Sequence, residues 1–114
     1  MTDHRARILF ADDDAAGLLV AQAALEEGGY EVCCAEDGDR ALALYTEQPP
    51  DCLVLDIMMP KRNGFEVCRA IRAMPGGKDV PILILTSRDD VESVAQAYDS
   101  GATDFATKGI SSRL

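Results

Sequence analysis

CLVLD at Cys52–Asp56 and PILIL at Pro81–Leu85 are apolar at almost every position. A strand with one wet face alternates apolar and polar residues, whereas an unbroken apolar run has both faces covered. These two segments therefore belong inside a sheet with helices on both sides. The rest of the chain supplies the partners. Strand-sized runs at Arg7–Ala11 (RILFA), Glu31–Ala35 (EVCCA) and Asp104–Thr107 alternate with helices expected over Ala15–Glu27, Asp39–Gln48, Phe65–Ala73 and Asp89–Ser100. Leu18 with Leu25, Ala41 with Leu44 and Tyr45, and Val91, Val94, Ala95 and Tyr98 set the inward helical faces. Gly28-Gly29, Pro49-Pro50, Pro75-Gly76-Gly77 and Gly101 end the helices, and Pro60–Gly64 reads as a loop.

Five strands alternating with helices give an α/β fold: a doubly wound, flavodoxin-like parallel sheet of order 2-1-3-4-5 with right-handed crossovers. The 114 residues suit one domain. At Leu114 a fifth helix would only be starting. The last helix is therefore expected to be missing or truncated, and the chain reads as the N-terminal piece of a longer protein.

Composition removes several function classes. A net charge of −9 with no basic face argues against direct nucleic-acid binding. No segment is long and apolar enough to span a membrane, and Met1–Arg5 lacks a secretory signal, which predicts a cytoplasmic protein. Cys33, Cys34, Cys52 and Cys68 contain no Cys-x-x-Cys pair, and the one histidine is His4. Zinc is disfavoured, and free, mostly buried thiols are expected.

In doubly wound sheets ligands bind beyond the carboxyl ends of the strands. Strand 1 delivers Asp12 and Asp13 there, strand 3 Asp56, strand 4 Thr86 and Ser87, and strand 5 Thr107 and Lys108. Three carboxylates in one pocket repel one another, and a hard divalent cation relieves this. Oxygen donors without His or Cys favour Mg²⁺. An aspartyl carboxylate can attack phosphorus, and a metal, an ammonium and a hydroxyl would then cover the three equatorial oxygens.

Each residue also has a bland reading. The run Asp12–Asp14 could cap the first helix, and Asp14 is the candidate for that task. Asp56 could simply form a turn, Thr86 could be structural, and Lys108 could be a solvated charge. Four strand ends sharing one chemistry outweigh these readings taken together.

Ile8–Asp14 (ILFADDD), Leu53–Pro60 (LVLDIMMP), Ile82–Ser87 (ILILTS) and Gly101–Lys108 (GATDFATK) resemble the four signature segments of response-regulator receiver domains of bacterial two-component systems. The resemblance covers almost the whole chain in order. It implies that Asp56 is the phosphoacceptor and that Asp13 binds Mg²⁺ directly. It makes Asp12 a ligand mainly through water and the Met58 backbone carbonyl a further ligand. It assigns Thr86 and Phe105 to the switch and Lys108 to the phosphoryl group. The donor would be a phosphohistidine on a sensor histidine kinase or phosphotransfer protein, with acetyl phosphate as a small-molecule substitute. Gly109 departs from the family, which carries proline after the lysine. A cis bond before a non-proline costs about 2.5–4 kcal/mol, so a trans Lys108–Gly109 bond and a less firmly held lysine are expected. Met58 and Arg88 occupy positions to which self-hydrolysis responds, and an apolar Met58 implies a long-lived phosphoryl group. The tail from Gly101 to Ile110 is similar to receivers in front of diguanylate cyclases, which places a cyclic-di-GMP-related output domain beyond Leu114.

The expected function is a phosphorylation-dependent switch, catalysing only its own phosphotransfer and dephosphorylation, that changes an output-binding surface around Asp89–Ser100 and strand 5. The alternative is a degenerate receiver-like interaction module that is not phosphorylated. An aspartyl phosphohydrolase would carry an acid where Met58 stands. A flavin site would find its phosphate repelled by Asp12–Asp14. Apolar surface left where a fifth helix would pack makes a dimer possible.

Overall fold

A computed structural model describes residues 5–86 and 91–107, apart from the side chains of Thr86 and Val91. The elements are β1 (Arg7–Ala11), α1 (Ala15–Glu27), β2 (Glu31–Ala35), α2 (Gly38–Glu47), β3 (Cys52–Asp56), α3 (Gly64–Arg72), β4 (Ile82–Thr86), α4 (Val91–Asp99) and β5 (Asp104–Thr107). All four strand pairings are parallel, and the sheet order is β2-β1-β3-β4-β5, as expected. Right-handed crossovers put α1 on one face and α2, α3 and α4 on the other. Among the described residues, no helix is long and apolar enough to cross a membrane.

The two faces are not sealed equally. Leu9, Leu53, Leu55, Ile82 and Ile84 are fully buried together with Val67, Cys68 and Ile71 of α3. Their sheet neighbours Phe10, Leu83 and Leu85, which point the other way, are half-buried. Beside α1 a shallow cavity of about 460 Å³ is lined by Phe10, Leu85, Val20 and Ala21 among others. The unbroken apolar runs thus correspond to one sealed face and one partly open face among the described residues.

Local rules set the boundaries. α1 ends where Gly29 takes φ +96°, with Gly29 N–H donating to Glu26 O and Tyr30 N–H to Leu25 O. Gly28-Gly29 thus ends the helix as expected, through a pair of hydrogen bonds around a left-handed glycine. Gly101 (φ +104°) ends the α4 segment in the same way, through Gly101 N–H to Tyr98 O and Ala102 N–H to Ala97 O. β4 begins at Ile82 rather than Pro81, because proline has no N–H for the ladder. α2 begins at Gly38 because the Asp37 side chain accepts from Arg40 N–H at 2.7 Å. α3 begins at Gly64 under a reciprocal Asn63–Glu66 capping box.

The inward face expected for α4 needs correction. Ala95 and Tyr98 are exposed and Val94 is half-buried, whereas Ser93, Ala97 and Ser100 are buried. Small residues let the helix approach the sheet closely, and Ser100 Oγ donates to Ala97 O at 2.6 Å, so its burial leaves no hydroxyl unpaired. The thiols also differ in detail from expectation: all four are free, but only Cys68 is buried, the others being half-buried. Burial pushes the Cys34, Cys52 and Cys68 thiols up from their ordinary range, which favours the protonated thiol over the thiolate.

Two arginines tie distant segments together. Arg7 opens β1, which lies between β2 and β3. Its N–H donates to the Asp51 carboxylate at 2.7 Å, and its guanidinium reaches Glu31 at 3.1 Å. Arg72, at the end of α3, donates to Gly77 O (2.8 Å), Val80 O (2.7 Å), Gly101 O (2.8 Å) and Thr103 Oγ1 (3.3 Å).

Candidate functional site

The site assembles at the carboxyl ends of β1 and β3. Asp12 N–H donates to Ala35 O at 3.0 Å, which carries the β1–β2 ladder one residue beyond the strand. Its side chain is 3 % exposed, and its Oδ1 accepts the N–H of Asp14 at 3.0 Å. Asp13, the next residue, is exposed. Asp56 ends β3 at 7 % exposure, and its Oδ1 accepts from Ile57 N–H at 2.9 Å. Asp12, Asp13 and Asp56 each present a carboxylate oxygen, and these three atoms lie within 4.8 Å of one another.

Three such carboxylates, two of them buried, form a concentrated negative pocket. All the donor atoms are hard oxygens, which fits a Mg²⁺-type ion and not a thiolate- or imidazole-loving metal. The three acids singled out in the sequence are therefore brought together.

The remaining candidates fall around them. Met58 is two residues past Asp56, with an exposed side chain. Leu85 is paired with Asp56, so Thr86 stands one step further along the neighbouring strand, in register with Thr107. Phe105 is half-buried, pairs with Ile84 and packs against the core. Ser87, Arg88, Lys108, Gly109, the nature of the Lys108–Gly109 bond and any start of a fifth helix lie outside the described residues.

Asp14 corrects one expectation. It occupies the N-cap position of α1 but makes no side-chain capping bond. Its carboxylate instead lies over Gly17, where an added Cβ would stand 3.0 Å from Asp14 Oδ2.

The loop expected at Pro60–Gly64 is present, with Gly64 already opening α3, but the contacts that hold it were not foreseen in the sequence. Gly64 N–H donates to Ile57 O at 3.0 Å and closes its foot. Gly38 N–H donates to Pro60 O at 3.3 Å and ties its tip to α2. Lys61 adopts φ +72° at that tip, with its ammonium 3.7 Å from Asp37, and Arg62 pairs with Asp39 at 2.8 Å. The signals were present as Asp37-Gly38 and Asn63-Gly64-Phe65-Glu66, both helix-start signatures.

Comparisons with known proteins agree with this geometry. The profile of the response regulator receiver domain family matches residues 8–114. The response regulator MprA of Mycolicibacterium vanbaalenii is 45% identical over 102 residues, covering 90% of this chain and 43% of the relative. MprA of Mycobacterium avium is also 45% identical, with 44% of its length covered. The chain thus spans less than half the length of these curated relatives. Among solved structures, the chemotaxis protein CheY4 of Vibrio cholerae superposes with TM-score 0.89 at 33% identity, over 94% of this chain and 89% of that one. The BeF3-activated N-terminal receiver domain of Klebsiella pneumoniae RstA superposes with TM-score 0.84 at 31% identity, over 90% and 86%. With its sheet order, its acidic cluster and a profile match over nearly its full length, this chain belongs to the receiver domain family of two-component response regulators.

Proposed function

We propose that the chain is a phosphorylation-dependent switch in which Asp56 accepts a phosphoryl group from a phosphohistidine of a sensor histidine kinase or phosphotransfer protein. The convergence of Asp12, Asp13 and Asp56 at the end of β3 carries this reading. An Asp56 carboxylate oxygen forms a bond to phosphorus while the phosphorus–nitrogen bond to the donor imidazole breaks. Asp12, Asp13, Asp56 and the Met58 carbonyl would hold Mg²⁺, which supplies charge neutralisation for the transferring phosphoryl oxygens. Thr86 and Lys108 would donate to the other oxygens.

The chain turns over no separate substrate and catalyses only its own phosphotransfer and dephosphorylation. Once Asp56 carries the added charge, Thr86 moves toward the phosphoryl group and Phe105, half-buried beside Ile84, repacks. The surface around α4 and β5 then changes for an output domain or a second receiver. The phosphoryl group shifts this equilibrium only by its different contacts in the two states. We place the chain in the cytoplasm, as the receiver portion of a longer response regulator.

Intact mass after incubation with acetyl phosphate tests the reading. One added phosphoryl group is expected with Mg²⁺ and none in EDTA. No uptake by folded, Mg²⁺-binding protein would instead favour the degenerate interaction module. Lifetime is a separate expectation. The exposed Met58 side chain has no group to orient an attacking water. The phosphoryl group should therefore persist for minutes or longer after excess acetyl phosphate is removed, and decay within seconds would exclude this role for Met58.

A further inference from the structure

We propose that Gly38, at the start of α2, is a positioning residue for the metal site on the neighbouring loop. The proposal rests on the reading of Asp12, Asp13, Asp56 and the Met58 carbonyl as the Mg²⁺ ligands. Gly38 does not have a positive φ, so its backbone would accept any residue. Space is what demands glycine. A Cβ there would stand 2.5 Å from Arg62 Cβ and 2.8 Å from the Arg62 carbonyl carbon, and closer still to the carbonyl oxygen. Backbone cannot yield as a flexible side chain can, so the loop itself would have to move.

That loop carries Met58. It is anchored at its foot by Gly64 N–H to Ile57 O, and at its tip by Gly38 N–H to Pro60 O and Arg62 N–H to Pro60 O (2.8 Å). A Cβ on Gly64 would in turn collide with the Asp56 carbonyl oxygen, so the foot abuts the acidic residue itself. The Arg62–Asp39 and Lys61–Asp37 pairs add charge to the tip contact. Lys61 takes φ +72° at the tip, where the Arg62 N–H to Pro60 O bond closes a tight turn around it, and the Gly38 N–H to Pro60 O bond then fastens that turn to α2. Displacing the tip moves the segment that supplies one metal ligand while leaving Asp12 and Asp13 in place. The α2 contact therefore contributes to Mg²⁺ affinity from an element that touches no ligand.

A Mg²⁺ titration followed through the Asp12 and Asp13 amide shifts tests this. Gly38→Ala, which favours the helix itself, should weaken Mg²⁺ about tenfold, because binding must restore the loop against the overpacked contact. Arg62→Asp separates the latch from simple electrostatics. It makes a chain of net charge −9 still more negative, so Coulomb attraction alone would tighten Mg²⁺. Repulsion from Asp39 should loosen the tip and weaken Mg²⁺ about two- to threefold. The charge swap Asp39→Arg with Arg62→Asp should restore the parental affinity. A folded Gly38→Ala protein with parental affinity overturns the proposal. If that variant does not fold, tighter binding by Arg62→Asp overturns it instead. Absence of Mg²⁺ binding in the parental chain removes the metal reading itself, and the latch falls with it.

Discussion

Asp56→Asn is expected to abolish phosphoryl uptake from acetyl phosphate completely while leaving the fold intact. The amide keeps the size of the carboxylate and can still accept from Ile57 N–H, which Asp56 does at 2.9 Å. It has no anionic oxygen to attack phosphorus. Asp13→Asn should lose uptake for a different reason. It keeps the acceptor but removes an exposed carboxylate from the cluster, so Mg²⁺ binds weakly and uptake falls by orders of magnitude. Both substitutions also bear on stability in EDTA, because each removes one carboxylate from the cluster. Asp13→Asn relieves repulsion between carboxylates within 4.8 Å and should be at least as stable as the parent, by up to about 1 kcal/mol. Mass spectrometry reads the first effect and urea unfolding the second. Residual phosphorylation of Asp56→Asn would move the acceptor to another residue, and a marked loss of stability in Asp13→Asn would remove the repulsion argument.

Arg72→Met should be the most damaging exchange away from the site. One guanidinium serves the carbonyls of Gly77, Val80 and Gly101 and the hydroxyl of Thr103. Thr103 Oγ1 also accepts from Ile82 N–H at 3.0 Å, so the network reaches the first residue of β4. Methionine fills similar space but leaves these acceptors without their charged donor, at a cost of about 2–4 kcal/mol. The melting temperature should fall by about 10 °C or more. Lysine should not rescue, because a single ammonium cannot reproduce the planar fork. A loss under about 1 kcal/mol would mean that water replaces the guanidinium without difficulty.

The strands were legible because two-sided burial leaves an unbroken apolar run, and the order followed from short right-handed crossovers. β1, β2, β3 and β5 fall where the residue pattern put them. Asp12, Asp13 and Asp56 could be brought together on paper for the same reason: topology fixes which strand ends are neighbours. Arg72 could not be found that way. An arginine in the last turn of an amphipathic helix reads as a solvated charge, and only the folded path brings residues 77, 80, 101 and 103 within its reach. The face of α4 was misread because hydrophobicity favours Tyr98, whereas close packing favours Ser93, Ala97 and Ser100. Gly38 escaped notice because its value lies in an atom it lacks.

Arg7 carries a consequence for how the chain reaches this state. Its main chain is joined to Asp51, 44 positions away, and its side chain to Glu31, 24 positions away. Neither bond can form until the intervening helical crossover has been placed, and the entropy of closing those loops is lost before either contact offsets it. β1 must therefore wait for two later strands before its own edges are satisfied. The seam at Arg7 thus belongs to the late stages of assembly. Weakening it should accelerate unfolding far more than it slows folding.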